Sequence, residues 1–127
     1  ESYYFVYNNT NTHNYTWRND DLDKIMFNAS RLFKTKIEAE KHLEWLKAKR
    51  SIELEIARLN EGWTPDWDEV NEEKWAIALD TQTKEFKAGE YYNYKTLPNS
   101  MYLKSNDLAK QLIETHEKEL RIYLEVE

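Results

Sequence analysis

Carboxylates dominate the side chains of this sequence that could do chemistry. Asp66, Asp68, Glu69, Glu72 and Glu73 form the densest run, and Glu85 and Glu90 follow downstream. Clustered carboxylates serve as cation ligands, as general acids and bases, or as an anionic docking surface. The stretch Asp66-Trp67-Asp68-Glu69 lacks the glycine and the terminal bidentate glutamate of an EF-hand loop. That leaves a recognition patch, or the solvated first turn of a short helix, where carboxylates suit the helix dipole. His13, His42 and His116 show neither His-x-x-x-His nor Glu-x-x-His spacing, so a metal site would need ligands from distant segments. The absence of cysteine excludes disulfides, a thiol nucleophile and Cys-ligated metals. Two glycines, Gly62 and Gly89, are too few for a phosphate-cradling loop. No Gly-x-Ser-x-Gly elbow occurs. The expectation is a protein without cofactor, metal or enzymatic activity.

Charge points the same way. The 127 residues carry 18 Lys and Arg against 24 Asp and Glu, for a net charge of −6. Residues 1–62 hold ten basic and ten acidic side chains, whereas residues 63–127 hold eight and fourteen. The whole excess therefore sits in the second half. Such a field repels phosphate backbones and favours a basic partner surface. The expected partner-binding set is Asp66, Asp68, Glu69, Glu72, Glu73, Glu85 and Glu90. A competing set would bind nucleic acid: Arg18, Lys24 and Arg31 for phosphates, with Tyr91, Tyr92 and Tyr94 as a stacking platform for bases. Lys87 and Lys95 flank those tyrosines, but Glu85 and Glu90 offset them. No apolar run approaches the roughly 20 residues of a membrane span.

These residues must be positioned by strands and helices that can be read from pattern. Tyr3–Tyr7 and Trp75–Leu79 are short aromatic or aliphatic runs suited to buried strands. Polar Asn, Thr, Gln and Asp residues after each read as a hairpin turn. Return strands are expected near His13–Trp17 and Glu85–Ala88, and third strands at Arg31–Phe33 and Met101–Leu103. Thr35-Lys36-Ile37-Glu38 forms a capping box, so a helix should start at Lys36 and run to about Asn60. Gly62 and Pro65 would stop it. Its apolar residues fall on two faces, Ala39, Leu43, Leu46, Leu54 and Ala57 on one and Trp45, Ala48, Ile52, Ile56 and Leu59 on the other. One small sheet covers one face only. The second face must meet the rest of the chain or a second copy, which makes the expected state a monomer or a homodimer. Thr64-Pro65-Asp66 would open a one- or two-turn helix. Ser105 should cap a second helix over Asn106–Glu119; the tail reads either as more helix or as a strand, since Ile122, Leu124 and Val126 alternate like a last strand.

The two halves also align with each other. Tyr4–Thr12 matches Trp75–Thr83 at an offset of 71, with Thr10/Thr81 and Thr12/Thr83 identical. Ser30–Thr35 matches Ser100–Ser105 at an offset of 70, and Ala39/Ala109 and Glu44/Glu114 follow. The expected fold is α+β: two copies of a β-β-β-α unit, with antiparallel sheets packed on a long central helix. The expected organisation is a single domain over residues 1–127, with repeats at 1–62 and 71–127 joined by a linker at 63–70.

Two resemblances bear on function. Leu32-Phe33-Lys34-Thr35-Lys36-Ile37-Glu38-Ala39-Glu40 resembles the strand-to-helix junction of AP2-like arm-binding modules of phage integrases, over about a dozen residues. The chain departs from that pattern in its strands, where Arg18 is the only Lys or Arg between Glu1 and Asp23. Nearly the whole chain resembles small uncharacterised proteins from phages and mobile elements of Gram-positive bacteria. The shared features are the aromatic first strand, Trp17, the Asp20-Asp21-Leu22-Asp23-Lys24 turn, the helix start at Thr35, and the Trp75–Leu79 strand. That resemblance implies a phage origin and a cytoplasmic location in the infected host. Together with the charge, it gives the leading expectation of an interaction module that inhibits a host defence protein by docking on its basic, nucleic-acid-binding surface. An AP2-like DNA- or RNA-binding module is the alternative.

Overall fold

The computed structural model describes residues 2–7, 11–16, 32–33 and 35–126. The chain forms two compact units, Glu1–Lys47 and Ala48–Glu127, and the fold is α+β. Arg18, Lys24, Arg31 and the Asp20–Asp23 turn lie outside the described residues.

In the first unit, β1 (Ser2–Tyr7) pairs antiparallel with β2 (Asn11–Thr16) and with β3 (Leu32–Phe33), in the order β2-β1-β3. Tyr4 sits opposite Asn14 on one side and Phe33 on the other. Helix α1 (Lys36–Asn60) begins in this unit. The Thr35 hydroxyl accepts a hydrogen bond from the Glu38 amide at 3.1 Å, satisfying one of the donors that a helix start leaves open. Ala39 and Leu43, one turn apart, are its buried residues here.

In the second unit, the rest of α1 buries Ala48, Ile52, Ile56 and Leu59, a spacing of three to four that keeps them on one face. Ile52, Ile56 and Leu59 join Met101, Leu103, Ala109, Leu112 and Leu120 in a continuous apolar core, with the helix packed on sheet and helices. Strands β4 (Lys74–Leu79) and β5 (Phe86–Tyr91) form an antiparallel hairpin with Trp75 opposite Glu90, Ile77 opposite Ala88 and Leu79 opposite Phe86. Trp75, Ile77, Phe86 and Ala88 pack against the core, as the two-residue period of a pleat dictates. On the other edge of β4, Trp75 and Leu103 exchange both backbone hydrogen bonds, at 2.8 and 2.7 Å. Helix α1 ends where Glu61 and Gly62 turn to positive φ (49° and 86°), the usual backbone signature of a helix stop.

Several local expectations need revision. The third strand at Met101–Leu103 shrinks to the single bridge at Leu103, preceded by a 3-10 turn at Asn99–Met101. The return strand is Phe86–Tyr91, so Ile77 pairs with Ala88, while Thr83 lies in the turn and donates its amide to Asp80. Its sequence counterpart Thr12 pairs with Val6 inside β2, so the second hairpin has the longer loop. The helix expected at Pro65 is a pair of turns instead, closed by Glu69 N–H to Asp66 C=O and Glu72 N–H to Glu69 C=O. Side-chain acceptors compete with the helical pattern there: Asp66 takes the Asp68 amide and Glu69 the Asn71 amide. The last long helix is broken at His116 (φ −127°) into α2 (Asn106–Thr115) and α3 (Glu117–Tyr123). The Thr115 hydroxyl donates back to the Gln111 carbonyl at 3.0 Å, a bond that bends helices. The tail, open between strand and helix in the sequence, is helical to Tyr123 and then turns, and Leu120, Tyr123 and Leu124 line an apolar cavity of about 60 Å³ with Ile52 and Ile56. That spacing outweighs the alternation at Ile122, Leu124 and Val126.

Candidate functional site

The five carboxylates of residues 66–73 do not act alike. Glu72 turns inward: its Oε1 accepts the Asp66 amide at 2.8 Å and lies 3.7 Å from the Lys74 ammonium. Asp66 and Glu69 remain exposed while each accepts a backbone amide two residues on. Asp68 and Glu73 are exposed. Glu85 is exposed in the β4–β5 loop, and Glu90 is half-buried on β5 opposite Trp75. Alternation along β5 puts Glu90 on the same side as the core-packing Phe86 and Ala88. The expected anionic set therefore divides into exposed members, Asp66, Asp68, Glu69, Glu73 and Glu85, and members tied into the fold, Glu72 and Glu90.

Two buried polar groups hold this region in shape, and neither was singled out from the sequence. Lys74 is fully buried. Its ammonium donates to the carbonyls of Glu69 (2.8 Å), Glu72 (3.4 Å) and Tyr92 (3.3 Å) and lies 5.2 Å from the centre of the Trp67 ring. A buried charge is tolerated only when paired and hydrogen-bonded, and these contacts meet that condition. Tyr102 is equally buried, with its hydroxyl accepting the amides of Thr96 (2.9 Å) and Leu97 (3.1 Å). Asn60, at the end of α1, donates to the Tyr102 carbonyl and accepts the Lys104 amide. Trp67 packs edge-on against Tyr102 at 4.9 Å and donates its indole N–H to Asn99. A lysine at a strand start reads as a solvated end, so only the fold reveals Lys74 as an internal pin.

The tyrosine platform also divides. Tyr91 packs edge-on against Tyr102 at 5.9 Å, and its ring covers Gly89, where a Cβ would meet it at 3.4 Å. Tyr92 and Tyr94 stay outside, 49% and 76% exposed. In the β4–β5 loop, the Asp80 carboxylate accepts the amides of Thr83 and Gln82 and lies 3.7 Å from the Lys87 ammonium. Those hydrogen bonds, Thr83 first, hold its pKa below the ordinary aspartate value, with Lys87 adding to the effect.

Thr115, His116 and Glu55 make the arrangement nearest to a catalytic constellation. The Thr115 hydroxyl lies 2.7 Å from His116 Nδ1, and Nε2 lies 3.9 Å from Glu55. The hydroxyl proton, however, is given to the Gln111 carbonyl, so toward the imidazole this oxygen accepts. That is the wrong sense for activation by a base. The contact ties the α2–α3 joint to α1. Among the described residues, no group of three His, Asp or Glu side chains converges as a metal site, and no helix is long and apolar enough to cross a membrane. The 60 Å³ cavity has aliphatic walls with Met101 and Tyr123, and so offers no charged group for catalysis. Comparison with protein-family models, curated proteins and solved structures returns no match.

Proposed function

We propose that this chain is a non-enzymatic interaction module of phage type, whose acidic second half docks on a basic, nucleic-acid-binding surface of a host protein and inhibits it. The observation that carries the reading is the charge: the net −6 resides wholly in residues 63–127, and Asp66, Asp68, Glu69, Glu73 and Glu85 are all exposed. An anionic surface of this kind steers association toward sites that otherwise hold phosphates.

The architecture in this proposal is a duplicated β-β-β-α unit, residues 1–62 and 71–127 joined by 63–70. Its support is positional. Tyr4 pairs with Phe33, and their counterparts Trp75 and Leu103 pair as well. Thr35 caps α1 through the Glu38 amide, and Ser105 caps α2 through the Leu108 amide at 3.3 Å. Ala39 and Ala109, matched by sequence, are both fully buried.

Affinity capture of host proteins from a Gram-positive lysate tests the function. A basic nucleic-acid-handling protein, retained at low salt, released by added salt, and inhibited in its own assay by this chain, is the expected result. An electrophoretic shift at low salt, with random duplex and single-stranded oligonucleotides, tests the DNA- or RNA-binding alternative that the exposed Tyr92 and Tyr94 favour. A salt-sensitive shift there, with no protein captured, would replace the proposal by that alternative.

A further inference from the structure

The apolar cavity of the second unit has a floor and a mouth. Ile52, Ile56, Met101, Leu112 and Leu120 line it and are no more than 7% exposed. Ile77, Leu97, Tyr123 and Leu124 complete the lining and are only half-buried. The space therefore opens between β4, the segment before the 3-10 turn, and the end of α3. Its lip is held by backbone hydrogen bonds. The Leu97 amide donates to the Tyr102 hydroxyl at 3.1 Å, and Ile77 sits in the ladder opposite Ala88. The Leu124 amide donates to the Leu120 carbonyl at 2.9 Å, and the Glu125 and Val126 amides return to the carbonyls of Ile122 and Arg121. That last pair closes the helix end as a Schellman turn, with Glu125 at φ 54° where glycine is usual. A rim fixed in this way does not fold inward to fill the space, and its order in advance lowers the entropy lost on binding.

The size and walls of the cavity select its occupant. A water needs about two to four polar partners, and the lining side chains are aliphatic apart from Met101 and Tyr123. A cavity of about 150 Å³ accepts benzene. On that scale, about 60 Å³ suits roughly two or three carbon atoms. That is the end of one leucine, isoleucine or valine side chain, and is too little for an aromatic ring or an acyl chain. A free molecule so small binds no better than about millimolar, so a useful occupant must bring further contacts from a chain of its own. The eleven basic and seventeen acidic side chains of this unit favour a basic chain, and the exposed Glu125 directly follows Leu124 at the lip. We infer that the mouth between Ile77, Leu97, Tyr123 and Leu124 is a socket for one aliphatic side chain of a basic segment of the partner protein. The inference rests on the docking function proposed above and adds an apolar anchor to it. An anchor in a desolvated pocket contributes affinity, whereas exposed charges act mainly on the rate of encounter.

The probe is a basic peptide of Lys-Gly-Ser repeats with one central leucine, compared with the same peptide carrying alanine there. Both are titrated calorimetrically into the chain at low ionic strength, while NMR follows the Met101 and Ile56 methyl groups. The leucine peptide should bind about tenfold more tightly and shift both methyls, which the alanine peptide should leave in place. Dissolved xenon should shift the same methyls and be displaced by the leucine peptide, a readout that needs no substitution. Leu124→Phe and Leu97→Phe fill the mouth from two segments of the chain. Each should bring the leucine peptide down to the affinity of the alanine peptide. Equal binding of the two peptides, or a leucine preference that survives both substitutions, overturns the socket and leaves the acidic docking function standing. So do methyls that the leucine peptide does not shift, or xenon that it fails to displace. Binding of neither peptide removes both readings. A dimer that Leu124→Phe dissolves would give the socket to a second copy of the chain and overturn the inference.

Discussion

The two compact units each hold an antiparallel hairpin and a portion of α1, and they differ in charge. Residues 1–47 carry seven basic and seven acidic side chains, whereas residues 48–127 carry eleven and seventeen. An antiparallel hairpin appears in each, and in each the first strand of the hairpin has a further partner, β3 in one and Leu103 in the other. Function placed on such a frame lies in the decoration and not in the strand order. In the second unit that decoration is a set of exposed carboxylates and tyrosines braced by Lys74 and Tyr102.

The comparison breaks first at α1, which contributes to both units. Ile56 is buried in the second core and its near neighbour Leu54 is 53% exposed. Ile56→Ala should cost about 3 to 4 kcal/mol in urea denaturation followed by tryptophan fluorescence. Leu54→Ala should stay within about 0.5 kcal/mol. Equal costs would mean that Leu54 is covered by something, and a concentration-dependent midpoint would identify that cover as a second copy.

Bracing comes next in size. Lys74→Met keeps bulk but leaves three carbonyls without their donor and the Glu72 carboxylate without its countercharge. A loss of about 3 kcal/mol is expected, with faster amide exchange near Tyr92 and in residues 66–72. Tyr102→Phe removes the acceptor of the Thr96 and Leu97 amides and the hydroxyl contact with Thr96, and should cost about 1 to 2 kcal/mol. Exchange confined to residues 94–97 is its expected mark. If Lys74→Met left exchange around Tyr92 unchanged, the loop would owe its position to something other than this ammonium.

The smallest effect is electrostatic. Because the folded state lowers the Asp80 pKa, its ionised form stabilises the loop above the ordinary aspartate pKa, and that contribution fades as pH falls through the lowered value. Asp80→Asn keeps an acceptor but cannot ionise. The stability gap between the original chain and this variant should therefore narrow from about pH 5 toward pH 3. A gap that widened with acid would contradict the assigned hydrogen bonds.

How much was legible in the sequence depends on the range of the interaction. Helix α1 starts and stops where Thr35 and Gly62 signal it, because capping and left-handed backbone are decided within a few residues. One apolar face of α1 was equally plain, and Ile52, Ile56 and Leu59 do meet the core of the second unit, whereas Leu54 and Ala57 on the other expected face are exposed. What stayed hidden depends on closure. Leu103 keeps one bridge because a 3-10 turn precedes it, and Thr83 is drawn into a turn by Asp80 where its counterpart Thr12 forms a strand. The carboxylates read alike in the sequence. Glu72 differs from Glu73 because the buried ammonium of Lys74 lies beside one of them, and that proximity is set by tertiary packing.

The most direct measurement sets the two units against each other on one captured protein. Asp68→Lys/Glu73→Lys reverses exposed charge in the second unit, and Lys36→Glu/Lys41→Glu reverses exposed charge in the first. Retention of the partner on the immobilised chain should be abolished by the second-unit pair and left intact by the first-unit pair. Equal retention by both variants would contradict an acidic docking surface in the second half of this protein.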